Sequence, residues 1–146
     1  MEYTCTLIIE YPKLRTYKNF KTEVRIEPYL NLGLPKPVYR SIARFRLSSH
    51  NLQIELGRHK RPYVQAEDRL CTNCNLNVVE DEEHFLMICP KWENHRSKLI
   101  STAISFINGF LIYVKHEQFL AIMKSKLPEI NLALGHFLNS SFSQKD

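Results

Sequence analysis

A mainly α fold is predicted for this chain: a small helical domain with a Cys-Cys-His-Cys (CCHC) knuckle inserted between helices. Three observations predict it. Apolar residues recur at three- and four-residue intervals along most of the sequence. Glycines number four in 146 residues, and dense clusters of strand formers are few. Cys71, Cys74, His84 and Cys89 gather between two helical stretches. At 44% hydrophobic and 24% charged residues, a chain of this length buries about two thirds of its extended surface and can hold a real core. Three segments are expected: residues 1–34 as an N-terminal lead-in with one helix, 35–107 as a basic helix plus the CCHC module, and 108–146 as C-terminal helices packing on the same core.

At the N-terminus, Tyr3 to Ile9 is apolar and reads equally as a short strand or as disordered chain; residues 1–11 have no readable role. A first helix follows Pro12, with Leu14, Tyr17 and Phe20 on one side. A loop with Pro28, Gly33, Pro35 and Pro37 leads to a second helix, from about Pro37 to Leu47. There Val38, Ile42 and Phe45 form an apolar stripe, and Lys36, Arg40 and Arg44 take the opposite side. After Pro90 a long helix turns Trp92, Leu99, Ala103 and Ile107 inward. The apolar run Ile104–Val114 reads as core or as a docking surface. Two more helices are expected, one around Glu117–Lys126 and one opened by Pro128 with Ile130, Leu134, Phe137 and Leu138 inward. The tail after Ser140 is polar and expected to be loose.

The central motif is C-x2-C-x9-H-x4-C. Three thiols and one imidazole at this spacing suit a tetrahedral zinc ion with no open position, so the metal is structural. Cys71-Thr72-Asn73-Cys74 can curl into a knuckle, with Asn73 and Asn75 tolerating its tight backbone. Asp81 can cap a short helix carrying His84. In an uninterrupted α-helix residues five apart diverge, so Pro90 is expected to push Cys89 out of helical geometry and bring its sulfur back. Cys89-x5-His95 is the rival pairing, disfavoured because His95 lies on the long helix; Cys5 is too distant in sequence to belong. The remaining histidines, His50, His59, His116 and His136, read as ordinary surface or helix residues. The other reading of these cysteines, buried small residues or a disulfide pair, requires an oxidising compartment in the latter case, and Met1–Tyr11 shows no secretory signal.

Charge is concentrated before the motif. From Lys36 to Arg61 lie Lys36, Arg40, Arg44, Arg46, Arg58, Lys60 and Arg61 against the single acid Glu55, a local excess of +6 in a chain of net +5. Such a stretch attracts a polyanion, and arginine forks onto phosphate oxygens; a merely solvated helix face is the plainer alternative. Of the nearby aromatics Tyr39, Phe45 and Tyr63, one could stack a base, with Phe45 better suited to the core. Glu80, Asp81, Glu82 and Glu83 beside the thiolates are expected to make the metal face repel nucleic acid. The ion then acts as a staple, holding the loop Gly57–Leu70 against the helices.

The stretch from Tyr39 through Phe45 to Leu52, the following Gly57-Arg58-His59, and the run Arg69-Leu70-Cys71 through Glu83-His84-Phe85-Leu86 to Cys89-Pro90 resemble the zinc-binding region downstream of the reverse transcriptase domain in non-LTR (LINE-type) retrotransposon proteins. Lys13–Tyr17 and Phe20–Thr22 resemble that family's lead-in. The resemblance covers about the first two thirds of the chain and fades after Arg96. It implies that Cys71, Cys74, His84 and Cys89 are zinc ligands and that the module grips RNA or DNA backbone beside a reverse transcriptase core. It also implies an intracellular, nuclear setting, for which Arg58-His59-Lys60-Arg61 is a weak import signal.

No enzyme is expected in this chain. Reverse transcriptases hold magnesium with clustered aspartates, whereas here the aspartates are Asp68, Asp81 and Asp146, none adjacent. P-loop, GxSxG and HExxH patterns are also missing. The expectation is thus a zinc-stabilised nucleic-acid-binding module detached from its polymerase, with a protein-interaction module or an inert retroelement fragment as the alternative. A membrane partner is not expected: Leu99–Val114, with several polar residues, falls short of the ~20 residues a bilayer requires.

Overall fold

A computed structural model describes residues 11–145, and the readings made for Tyr3–Ile9 and Cys5 lie outside them. The described residues are mainly helical. We label α1 (Tyr17–Phe20), α2 (Lys36–Arg46), α3 (Gln53–His59), α4 (Glu93–Phe106), α5 (Lys115–Lys124) and α6 (Pro128–Phe142). Short 3-10 turns link several of these, and one π-helical turn, His84–Ile88, precedes α4. Extended pairing among the described residues is limited to an isolated antiparallel bridge, Leu70 with Val79.

The C-terminal helix α6 is the centre of the fold, with α2 and α4 packed along it. Its sequence explains why. Pro128 opens the helix at its first position, where the missing N–H costs nothing. Ile130, Asn131, Ala133, Leu134, Gly135, Phe137, Leu138 and Ser141 are all buried, a wider apolar arc than one contact face requires. Gly135 marks the closest approach to α2, since a Cβ there would collide with the Val38 side chain. Gly135→Ala is therefore expected to be net destabilising. Overpacking costs about 1–3 kcal/mol, and the ~1 kcal/mol better helix propensity of alanine offsets only part of it. A urea denaturation midpoint measures the difference.

The amphipathic stripe of α2 is present. Val38, Ile42 and Phe45 are buried, whereas Lys36, Arg40 and Arg44 face solvent. One continuous apolar cluster runs from Tyr17 to Leu138 and so draws on all three segments distinguished in the sequence. At its middle Phe85 touches the rings of Phe45, Trp92, Phe137 and Phe142, with Phe142 stacked at 4.7 Å. Phe85 directly follows His84. The turn that carries His84 is thereby built into the core.

The run Ile104–Val114, read as core or as a docking surface, is mostly outside: Leu111 is 71% exposed and Ile112 86%, while Phe110 alone is fully buried. The tail is ordered, because α6 continues to Phe142 and the nearly buried Lys145 ammonium pairs with Glu80 at 3.1 Å. The sequence also conceals α3, whose seven residues include a glycine and are too few to display a helical period. Gly57 lies on the buried side of α3, directly against the Arg69 side chain, where a Cβ would not fit.

Arg46 is the largest departure from the basic-patch reading. Its side chain is 7% exposed and turned inward, donating to Glu27 Oε2 at 2.7 Å and to the Met123 carbonyl at 2.6 Å. Its guanidinium lies 4.4 Å from the centroid of Phe20. Phosphate cannot reach it. Arg46 therefore leaves the candidate nucleic-acid set and joins the core, where the planar cation satisfies a buried carboxylate and stacks on aromatic faces.

Candidate metal centre

The first half of the site is a turn held from both sides. The Cys71 N–H donates to the Val78 carbonyl at 2.8 Å and the Glu80 N–H to the Arg69 carbonyl at 3.0 Å, closing the two arms around residues 72–77. Within the turn the Asn73 N–H points at Cys71 Sγ, 3.4 Å away, as a donor stabilising thiolate charge. The left-handed backbone position is Asn77 (φ 54°), beyond the asparagines at 73 and 75 that the sequence favoured. Asn73 instead uses its side chain, donating to Glu80 Oε1 at 2.9 Å.

The second half begins with the expected cap. Asp81 Oδ1 accepts the His84 N–H at 2.8 Å. The turn after the cap is wider than an α-helix. The Cys89 N–H reaches back five residues to the His84 carbonyl at 2.8 Å, the π-helical register. Residues five apart diverge by about 140° in an α-helix (100° per residue) but come nearly into line when each turn holds more residues. The π turn thus performs the alignment expected of Pro90 alone. Cys89 still leaves helical geometry just before that proline (φ −56°, ψ 121°), as the proline requires. Arg96 then closes the turn, donating to the carbonyls of Cys89 (2.6 Å) and Phe85 (3.3 Å). Its role was not legible, because nothing in its sequence neighbourhood distinguishes it from a surface arginine.

Cys71 Sγ, Cys74 Sγ, His84 Nε2 and Cys89 Sγ come together with no pair more than 4.8 Å apart. Cys71 and Cys89 sulfurs are 3.9 Å apart, and Cys74 Sγ is 3.5 Å from His84 Nε2. These four side chains can hold a metal ion. His84, not His95, is the imidazole in the cluster. Burial pushes the Cys71 thiol up to about 12 and raises Cys89, while burial lowers His84 below its usual value. A neutral imidazole is the ligating form, and buried thiols without a nearby cation hold their protons; a divalent cation inverts that preference and releases them.

The four acids beside the site do not form a repelling surface. Glu80 is fully buried and accepts from Asn73, from the Gln53 N–H at 2.8 Å and from Lys145. Glu82, 1% exposed, accepts from Arg15, Thr16, Ser48 and His50. Burial opposes its ionisation, yet the His50 ring, Arg15 and Thr16 outweigh burial and hold its carboxyl at about 2. Asp81 is spent on the cap, and Glu83 faces His116 at 2.7 Å. Glu80 and Glu82 are turned inward to meet their donors, while Asp81 and Glu83 stay half-buried, each with a partner.

Of the basic candidates, Lys36, Arg40, Arg44, Lys60 and Arg61 are exposed with no carboxylate partner among the described residues. Arg58 is half-buried and pairs with Glu55 at 3.0 Å. The loop after α3 is held by Arg69, which donates to the carbonyls of Ile54 (2.6 Å) and Val64 (3.0 Å) and to the Tyr63 hydroxyl (2.8 Å). A staple exists there, but the side chain that makes it is an arginine. Phe45 is core, as its position on the stripe implied. Among the described residues no helix is long and apolar enough to cross a membrane. No family model, no curated protein and no solved structure matches the chain.

Proposed function

We propose that the chain is a zinc-stabilised nucleic-acid-binding module of the kind found downstream of retrotransposon reverse transcriptases. The metal part rests on the donor set. A tetrahedral zinc with ~2.3 Å bonds to sulfur and ~2.0–2.1 Å to nitrogen has edges of ~3.8 Å between sulfurs and ~3.5 Å between sulfur and nitrogen. Two of the six separations, 3.9 Å and 3.5 Å, match those edges, and none of the others exceeds 4.8 Å. Three thiolates and one imidazole leave no position for substrate or water, so the ion has a structural role.

The observation that carries the nucleic-acid part is the division of α2 into two faces. Its apolar stripe is consumed by α6, while Lys36, Arg40 and Arg44 project to solvent without carboxylate partners among the described residues. Unpaired guanidinium groups at helical spacing suit phosphate oxygens of RNA or DNA backbone, with contacts that position and carry little sequence information. Charge reversal tests this. Arg40→Glu/Arg44→Glu is expected to leave the thermal midpoint nearly unchanged and to weaken binding at low salt by more than about tenfold. The salt slope should fall by about two. Unchanged affinity in a filter-binding titration across salt concentrations would refute the basic-face reading.

One observation favours a second reading, a zinc-stabilised protein-interaction module that docks on a reverse transcriptase core or another protein. Leu111, Ile112 and Val114 are 71%, 86% and 64% exposed on one short loop, and contiguous exposed apolar side chains mark interaction sites. The salt titration separates the two, because apolar docking does not weaken steeply as salt rises.

A further inference from the structure

We propose that the cleft between α2 and the C-terminal half of α6 is a nucleotide pocket for single-stranded nucleic acid, with Arg44 on a phosphate and Phe142 against a base. This rests on the nucleic-acid reading and narrows it from any polyanionic backbone to an unpaired strand. The cleft holds about 450 Å³, inside the ~300–1,000 Å³ usual for small-ligand sites.

Its chemistry is unlike that of a docking groove. The exposed Arg44 guanidinium has no hydrogen-bond partner among the described residues, nor has the Ser49 hydroxyl. Asn139 engages Ser41 through its Oδ1, which leaves its amide N–H groups without a described partner. These are donors, and one carries a full positive charge. Asn51, also in the wall, donates its amide to the Lys145 carbonyl and so ties the cleft to the end of the chain's described residues. Donors toward the phosphate and the half-buried Phe142 ring toward the base are the complement of one nucleotide.

A second cavity of about 270 Å³ shares Ser49 and His50 with the first and continues past Lys13, Arg58 and His59. Glu55 also lines this second cavity, where it pairs with Arg58, leaving Lys13 as its cation without a described carboxylate partner. His50 is the fixed partition between the two cavities. Its Nε2 meets Glu82 at 2.9 Å and its ring stacks on Phe142 at 13° between planes. Glu82 lies two residues before His84, so the metal-ligand segment also anchors the pocket wall. A duplex keeps its base edges paired and cannot offer one to a walled cleft, whereas a single strand can.

The test is fluorescence anisotropy with (dT) and (rU) oligomers of about ten nucleotides and with a duplex of the same length, on the zinc-loaded chain. Both single strands are expected to bind at least about tenfold tighter than the duplex. Ser49→Phe fills the cleft without altering charge, and should bring single-strand affinity down to the duplex level while duplex affinity stays the same. Should that variant fail to fold, the wild-type protein still decides, because the Asn51 and Asn139 side-chain amide resonances must shift on adding the (dT) oligomer. Equal affinity for strand and duplex, or unmoved asparagine resonances, overturns the pocket while leaving the basic face intact. Absence of binding to all three probes overturns both.

Discussion

Cys74→Ser is expected to lower the stability of the zinc-loaded chain by several kcal/mol, and chelation of the metal from the unsubstituted chain should do the same. Cys74 is half-buried at the edge of the core, and serine is nearly its size, so the substitution removes little packing. The real loss is one of four bonds to the ion. Structural zinc sites in small domains contribute apparent binding free energies of ~10–16 kcal/mol, which are folding free energies wherever the site exists only in the folded chain. Domains of this size are stable by about 5–15 kcal/mol in total.

The effect should spread beyond the turn, because the next residues after His84 are Phe85, Leu86 and Met87, all essentially fully buried. Freed of the ion, the π turn keeps its Asp81 cap and its Arg96 contacts but loses the bond that joins it to Cys71 and Cys74. At roughly 2–4 °C per kcal/mol, a loss of ~5 kcal/mol corresponds to about 10–20 °C in the thermal midpoint. Helical circular dichroism followed on heating, with and without chelator, reads the shift. A midpoint indifferent to both treatments would mean that the cluster holds no metal that matters to folding.

Arg46→Met is the second large effect, about 3–5 kcal/mol. Methionine preserves most of the apolar stem, so the loss isolates the guanidinium. Removing it strands the Glu27 carboxylate beside only Lys21 at 3.0 Å and the Tyr17 hydroxyl at 2.5 Å, and leaves the Met123 carbonyl without its donor. Phe20 also loses the cation stacked over its ring. The mechanism makes a sharper statement than the size. Neutralising Glu27 as well, in Arg46→Met/Glu27→Gln, should recover part of the loss, because the penalty of breaking a buried pair lies mostly in the charge left behind. Denaturant titration of the two single variants and the double gives the coupling directly. Strictly additive losses would show that the two groups do not interact.

The contrast between Arg46 and its neighbours shows where the sequence was legible. The stripe Val38, Ile42 and Phe45 with Arg40 and Arg44 opposite is a local periodicity, and α2 forms where that periodicity places it. The convergence of Cys71, Cys74, His84 and Cys89 was readable from residue type and spacing. The burial of Arg46, Arg69 and Arg96 was not, because each finds its partners among backbone carbonyls or acids supplied by distant or irregular chain. Likewise the π register of His84–Ile88 depends on a wide turn that leaves no periodic signature in five residues.

Charge runs misled in the same way. Glu80, Asp81, Glu82 and Glu83 read as a solvated acidic patch, but the fold supplies donors from Lys145, His84, Arg15 and His116 to meet them. A tail judged loose by composition is held through one of those donors. At Leu111–Val114 hydropathy left core and docking surface open, and the fold leaves the run on the surface with Phe110 alone as its buried anchor.

Zinc K-edge X-ray absorption on the chain loaded with one equivalent of zinc reads the coordination of the ion itself. One tightly held ion is expected, with a first shell of three sulfurs at ~2.3 Å and one imidazole nitrogen at ~2.0–2.1 Å. A shell made mainly of oxygen, or an ion that washes away to leave Cys71 and Cys89 as free thiols, would contradict a metal centre built from these four side chains.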